Sequence, residues 1–160
     1  MQERAAQTVP AKSPTTAPTR TLRLAALPTA PHMARTFIGH SARQFHLSEE
    51  VTETARLLVS ELVTNAVRQT GRADGEPTPR LAERVAVVIL GLRLVPGALR
   101  IEVFDHDERP PQKSDRQTYV SEHGWGLVLV ELLSRRWGTY PARSANNVSG
   151  KVVWCEVATS

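Results

Sequence analysis

Glu61-Leu62-Val63-Thr64-Asn65-Ala66-Val67-Arg68 sets two polar residues four positions apart inside an apolar run. At about 100° per residue, four positions return nearly to one direction. Glu61 and Asn65 therefore leave one side of a helix, and Arg68 extends their row. Upstream and within the segment, Val51, Ala55, Leu58, Val59, Leu62, Val63 and Ala66 form a single apolar stripe. Ser48 stands where an N-cap belongs, Glu49 and Glu50 put negative charge at the positive end of the helix dipole, and Gly71 reads as the stop. Glu61 and Asn65 lie at the edge of the stripe. A carboxylate there can take a proton from a nucleophile, and an amide oxygen can ligate a hard cation such as Mg²⁺. The same spacing also fits the solvated flank of an amphipathic helix, so periodicity alone leaves both readings open.

Further out, an earlier helix is expected after Thr29, with Pro31 in its first turn and Ala34, Phe37, Ile38, Ala42 and Phe45 at helical spacing. Thr21 to Leu27 reads as a first strand. Met1 to about Arg20 is Ala, Thr and Pro without apolar period, and reads as a disordered tail before one domain spanning 21–160. Gly71 to Arg80 reads as a loop. Val85 to Leu94 and Leu99 to Asp105 read as strands, and Pro96-Gly97 between them suits a type II turn, so a hairpin is expected. Asp107 to Glu122 is polar and reads as a loop. Gly126 to Arg136 reads as a helix, and Trp137 to Pro141 and Val152 to Val157 as closing strands. The fold class expected from this order is α+β: a two-layer sandwich whose mixed, mostly antiparallel sheet is covered on one face by helices.

The chain has 160 residues, with Lys plus Arg 20 against Asp plus Glu 16 and a formal net charge of +4. That balance favours anionic partners without choosing among nucleotide, nucleic acid and acidic protein. The single cysteine, Cys155, excludes an internal disulfide and a Cys-based zinc site, and a reducing cytoplasm is the simplest compartment. No apolar run reaches the ~18–20 residues of a membrane span. None of the five histidines forms His-Glu-x-x-His, and Gly-x-x-x-x-Gly-Lys-Ser/Thr does not occur, so a P-loop is excluded.

Two further features can carry chemistry. Asp105 ends an alternating strand where a loop begins, a place from which a carboxylate can accept a hydrogen bond from an exocyclic amine. His123-Gly124-Trp125-Gly126 precedes a helix, where glycines let backbone N–H groups approach an anion. Leu129 stands where a third small residue would complete a dinucleotide fingerprint. Lys151, after Gly150, reads equally as a phosphate ligand and as an exposed turn lysine.

In this order the pieces resemble the GHKL, or Bergerat-fold, ATPase superfamily, and most closely the bacterial anti-sigma-factor serine/threonine kinases. Glu61 to Arg68 matches that family's N box. Val103-Phe104-Asp105-His106-Asp107 stands at its first glycine box, His123 to Val130 at its second, and Gly150-Lys151-Val152-Val153-Trp154 at its closing strand. The resemblance implies ATP and Mg²⁺ as ligands. It makes Asn65 the Mg²⁺ ligand, Glu61 the general base and Asp105 the acceptor for the adenine amine. Gly124, Gly126 and Leu127 would shape the phosphate-binding helix start and its lid, with Arg68 and Lys151 also at the nucleotide. It implies phosphoryl transfer to Ser or Thr of an antagonist protein, a sigma factor as second partner, and a homodimer as an available assembly. Three positions depart from the family pattern. Asp107 replaces a glycine, Gln69 stands where His is common, and Glu108 to Glu122 is short for a lid. These departures favour nucleotide binding over efficient transfer, and so an ATP-binding or nucleotide-free interaction module without kinase activity is the second reading. Direct nucleic-acid binding is a third, resting on charge and tail alone.

Overall fold

The computed structural model describes residues 19–70, 86–111 and 126–160. In chain order they form β1 (Thr19–Ala25), α1 (Ala30–Gln44), α2 (Glu49–Thr70), β2 (Val87–Val95), β3 (Ala98–Asp105), α3 (Gly126–Leu133), β4 (Arg136–Arg143) and β5 (Ser149–Ala158). The strands make one sheet in the order β1-β2-β3-β5-β4, and every pairing is antiparallel. The expected α+β sandwich is present; among the described residues its sheet holds no parallel pair.

Side chains alternate across each strand, so one residue in two faces the helices. Leu24, Val88, Leu90, Leu92, Leu99, Ile101, Val103, Val153, Cys155 and Val157 meet the buried faces of α1 and α2 in a single aliphatic core. All seven stripe residues of α2 are buried. Its N-terminus is held as expected, with the Val51 N–H donating to Ser48 Oγ at 3.3 Å. The capping expectation for α1 fails in part: Thr29 occupies the N-cap, but its side chain makes no capping bond. At the other end of α1, the N–H of His46 bonds to the Arg43 carbonyl and that of Leu47 to the Ala42 carbonyl. This pattern needs a left-handed residue, and His46 supplies it at φ 54 where glycine is usual.

Several boundaries move. β1 starts at Thr19, so it includes the last two residues assigned to the tail; the remainder of the tail and the Gly71 stop lie outside the described residues. α3 ends at Leu133, and Arg136 already opens β4. There the Arg136 guanidinium clasps the Glu156 carboxylate of its cross-strand partner at 2.9 Å, which holds the segment extended. β5 begins at Ser149, three residues before the expected start, because pairing to both β3 and β4 overrides the turn character of Gly150-Lys151. Pro141 is tolerated inside β4 because that strand is an edge.

No helix covers the far face of the sheet among the described residues, yet Phe104, Val152 and Trp154 are buried on it. Trp154 lies across Gly138 of β4, where an added Cβ would meet its ring at 3.0 Å. The Arg100 guanidinium stacks on the Trp154 ring, 3.8 Å from its centroid. Arg100 also binds Glu102 and Glu156 at 2.7 and 3.2 Å. The sheet thus covers its own apolar centre with a lattice of paired charges.

Candidate functional site

The helix-facing rows of β3 and β5 are aliphatic until their last pair. There Asp105 stands directly opposite Lys151, and the two residues are 1% and 2% exposed. Lys151 Nζ donates to Asp105 Oδ1 at 2.8 Å and to the Asp107 carbonyl oxygen at 2.8 Å. The Asp107 N–H donates to the same Oδ1 at 2.8 Å, and neither bond uses Oδ2. Burial pushes the Asp105 carboxyl above its ordinary value of 3.8, and the bond and charge of Lys151 pull it back. Lys151 is therefore not the exposed turn residue that half of the sequence reading allowed.

Gly150 makes this pairing possible. An added Cβ at position 150 would overlap the Asp105 carbonyl oxygen and press into the Phe104 ring at 2.8 Å. The sequence suggested a closing strand here without revealing that the backbone itself needs the room.

Asp107, the departure from the family pattern, turns its charge away. Its carboxylate is gripped by the Arg109 guanidinium, with Nη2 2.7 Å from Oδ2, and accepts the Arg109 N–H at 2.9 Å. These Arg109 bonds hold its carboxyl below the ordinary value. The added carboxylate is neutralised locally, and its main chain supports Lys151.

On the helix layer, Glu61 and Asn65 are both half-buried on α2, as their place at the edge of the stripe requires. Glu61 reaches the first residue of α3: a Cβ on Gly126 would lie 2.6 Å from Glu61 Oε2 and 3.5 Å from Glu61 Cβ. The missing side chain of Gly126 thus gives a carboxylate access to a helix start. α2 packs on β3, β5 and α3, so the segments bearing Glu61, Asp105 and Gly126 are neighbouring layers. Leu127 is 2% exposed, and Val130 ties α3 to the main core. Arg68 is exposed in the last turn of α2. Gly124, with His123 and Trp125, lies outside the described residues.

Three other sequence readings can be placed. Cys155 is fully buried, which pushes its thiol up to about 12 and makes it a small core residue. Trp137 packs partly buried against the main core and Trp154 sits in the far-face cluster, so both are packing residues. Among the described residues there is no group of three or more His, Cys, Asp or Glu side chains suited to a metal ion. A cavity of about 200 Å³, lined by His106, Ile89, Arg23 and the turn at Ser144 to Asn146, opens beside the far face. No helix among the described residues is long and apolar enough to cross a membrane.

The model of one protein family, the histidine kinase-like ATPase domain, matches residues 24–154. The fold is similar to the crystal structure of the RsbU and RsbW domains of Rv1364c from Mycobacterium tuberculosis, with a TM-score of 0.59 and 17% identity. That likeness covers 88% of this chain and 32% of the other, so the chain spans about a third of its structural relative. No curated protein matches.

Proposed function

The chain belongs to the histidine kinase-like ATPase domain family, and on that premise we propose that it binds Mg²⁺-ATP and regulates a partner protein in the manner of an anti-sigma factor. The observation that carries the reading is that α2, whose Glu61 reaches the start of α3, also packs on β3, the strand that ends in Asp105. The residues present fit the group. Mg²⁺ is commonly held by one or two protein oxygens together with substrate phosphates, and Asn65, half-buried beside Glu61, offers one amide oxygen. Asp105 Oδ2 would accept an N–H of the adenine amine. The N–H groups at Gly124 and Gly126 would face the phosphates, with Leu127 anchoring that helix and Arg68 and Lys151 adding positive charge nearby.

Bound Mg²⁺-ATP supplies the γ-phosphoryl group and charge neutralisation. If transfer occurs, the Glu61 carboxylate takes the proton of a Ser or Thr hydroxyl. That oxygen then bonds to the γ-phosphorus as the bond to the β-phosphate oxygen breaks, and ADP leaves. The substrate would be an antagonist protein, and a sigma factor the regulated partner. This is the reading suggested by the fold likeness to the RsbU and RsbW domains of Rv1364c.

A second reading also has its own observation. A carboxylate at a helix start is a stabilising arrangement in its own right, so Glu61 against Gly126 equally suits an ATP-binding module that regulates without transferring phosphate. Calorimetric titration with ATP, with and without Mg²⁺, on wild type, Asn65→Ala and Asp105→Ala tests the shared part. Saturable Mg²⁺-dependent binding, lost in Asn65→Ala, is expected; its absence from the wild type refutes the proposal. Labelled ATP with a cognate antagonist separates the two readings, since only a kinase gives transfer abolished by Glu61→Gln.

A further inference from the structure

We propose that the cavity beside the far face of the sheet is a binding site for a small organic anion, a carboxylate carried on a compact apolar body. Its volume is about 200 Å³, and an apolar cavity of about 150 Å³ is already enough for a benzene ring. Val87, Ile89 and Val148 give it apolar walls, and Arg23, His106, Ser144 and Asn146 bring polar groups to it. No Asp or Glu lines it, so the permanent charge at its wall is the positive one of Arg23.

Other arginines on this face of the sheet are paired. Arg93 binds Glu102, Arg100 binds Glu102 and Glu156, and Arg136 binds Glu156. Arg23 stands instead opposite Ile89, whose next partner across the sheet is Phe104, so register brings it no carboxylate. It is exposed and makes no side-chain hydrogen bond or ion pair among the described residues. His106 is an independent sign. Its ring stands perpendicular to that of Phe104, with 5.1 Å between centroids, and its Nδ1 is buried without a hydrogen-bond partner. Buried polar atoms are seldom left so, which points to a group that the chain does not itself supply. The wall formed by the β4–β5 turn is set in advance. The Ser144 N–H donates to the Val148 carbonyl and the Asn147 N–H to the Ser144 carbonyl, each at 2.9 Å. The Arg143 guanidinium donates to the Asn147 carbonyl at 3.1 Å. Ser144 Oγ accepts the Val148 N–H at 3.2 Å, which leaves its O–H to donate. Donors around an apolar space, with an unpaired guanidinium among them, are the combination that holds a small amphipathic anion.

The test is an amide NMR titration of the full chain with benzoate, with benzylamine and benzyl alcohol as probes of the same ring and different charge. Benzoate should saturate with a dissociation constant of about 1 mM, and its shifts should centre on Ile89, His106 and Asn146. Benzylamine and benzyl alcohol should bind about tenfold more weakly or worse. Arg23→Gln should weaken benzoate about tenfold, the loss of one charge-assisted bond. Arg20→Gln removes the same charge from the same strand, where the guanidinium lies over Phe37, and should leave benzoate binding unchanged. No saturable shift below about 20 mM benzoate, or shifts centred elsewhere, overturns the inference. Equal binding of the three probes also overturns it, since the cavity would then read the ring and not the charge. An equal loss in Arg20→Gln and Arg23→Gln does the same, by reducing the effect to net charge. The probe comparison on the wild type decides the matter even if a variant does not fold, and no outcome bears on the ATP-binding reading.

Discussion

The strand side and the helix side of the candidate site are built on opposite principles. On the strands, Asp105 and Lys151 are buried, paired with each other and supported by two main-chain bonds. On the helix, Glu61 and Asn65 are half-buried at the rim of an apolar stripe that folds without them. The difference teaches that function and stability are fused on one side and separable on the other. Removing one member of a buried ion pair strands the other, whereas trimming a rim residue leaves the core intact.

Asp105→Ala should break this contrast most severely if it is wrong. We expect a loss of about 3–5 kcal/mol of stability, because Lys151 would be left in the interior without its partner; equilibrium urea unfolding measures it, and a loss under about 1 kcal/mol would mean that the pair is effectively solvated. Gly150→Ala comes next. The new methyl meets main chain rather than a flexible side-chain tip, so a penalty of about 1–3 kcal/mol is expected, read as a lower midpoint in the same titration. At the helix side Asn65→Ala should stay within about 0.5 kcal/mol of wild type while losing the Mg²⁺-dependent part of ATP affinity. Unfolding of that variant at wild-type midpoint, together with calorimetry, checks both halves.

The smallest effect separates two neighbouring carboxylates by pH. Followed by carboxyl NMR, Asp105 should titrate above 3.8 and Asp107 below it. The signs for stability are opposite. Asp107, lowered by Arg109, contributes stability above its unfolded value that is lost as pH falls through the folded one. Asp105, raised by burial, contributes a proton-linked increment that is full below its unfolded value and lost as pH rises through the folded one. For Asp107, bound to a half-exposed arginine, the increment should be no more than about 1 kcal/mol, and Asp107→Asn should flatten it.

What the sequence made legible follows the same division. The α2 stripe, Glu61 and Asn65 are local facts of helical period, and the Ser48 cap sits where the sequence puts it. The hairpin was readable because Pro96-Gly97 has one low-cost geometry, and Gly97 adopts it at φ +71. The strand side was not readable in the same way. Asp105 and Lys151 are separated by 46 positions, and only sheet pairing makes them partners. Gly150-Lys151 has the local character of a turn, and its conversion to strand is imposed from both flanks. The buried far face was missed for a similar reason, since the charged residues Arg100, Glu102, Arg136 and Glu156 read locally as solvent-facing and cover Trp154 only once three strands align.

The sheet order carries a consequence for how the molecule is made. β5 is the last of the described strands in sequence but lies between β3 and β4. A nascent polypeptide that has emerged only as far as β4 therefore has an unfilled slot beside β3, with the hydrogen-bonding edge of that strand bare and Asp105 still waiting for its cation. Such an edge invites pairing with another chain. Closing it requires a long-range contact that local helix formation cannot hasten. Arrival of the ten residues of β5, Ser149 to Ala158, should thus be the committing step of folding, and the same step that completes the candidate site.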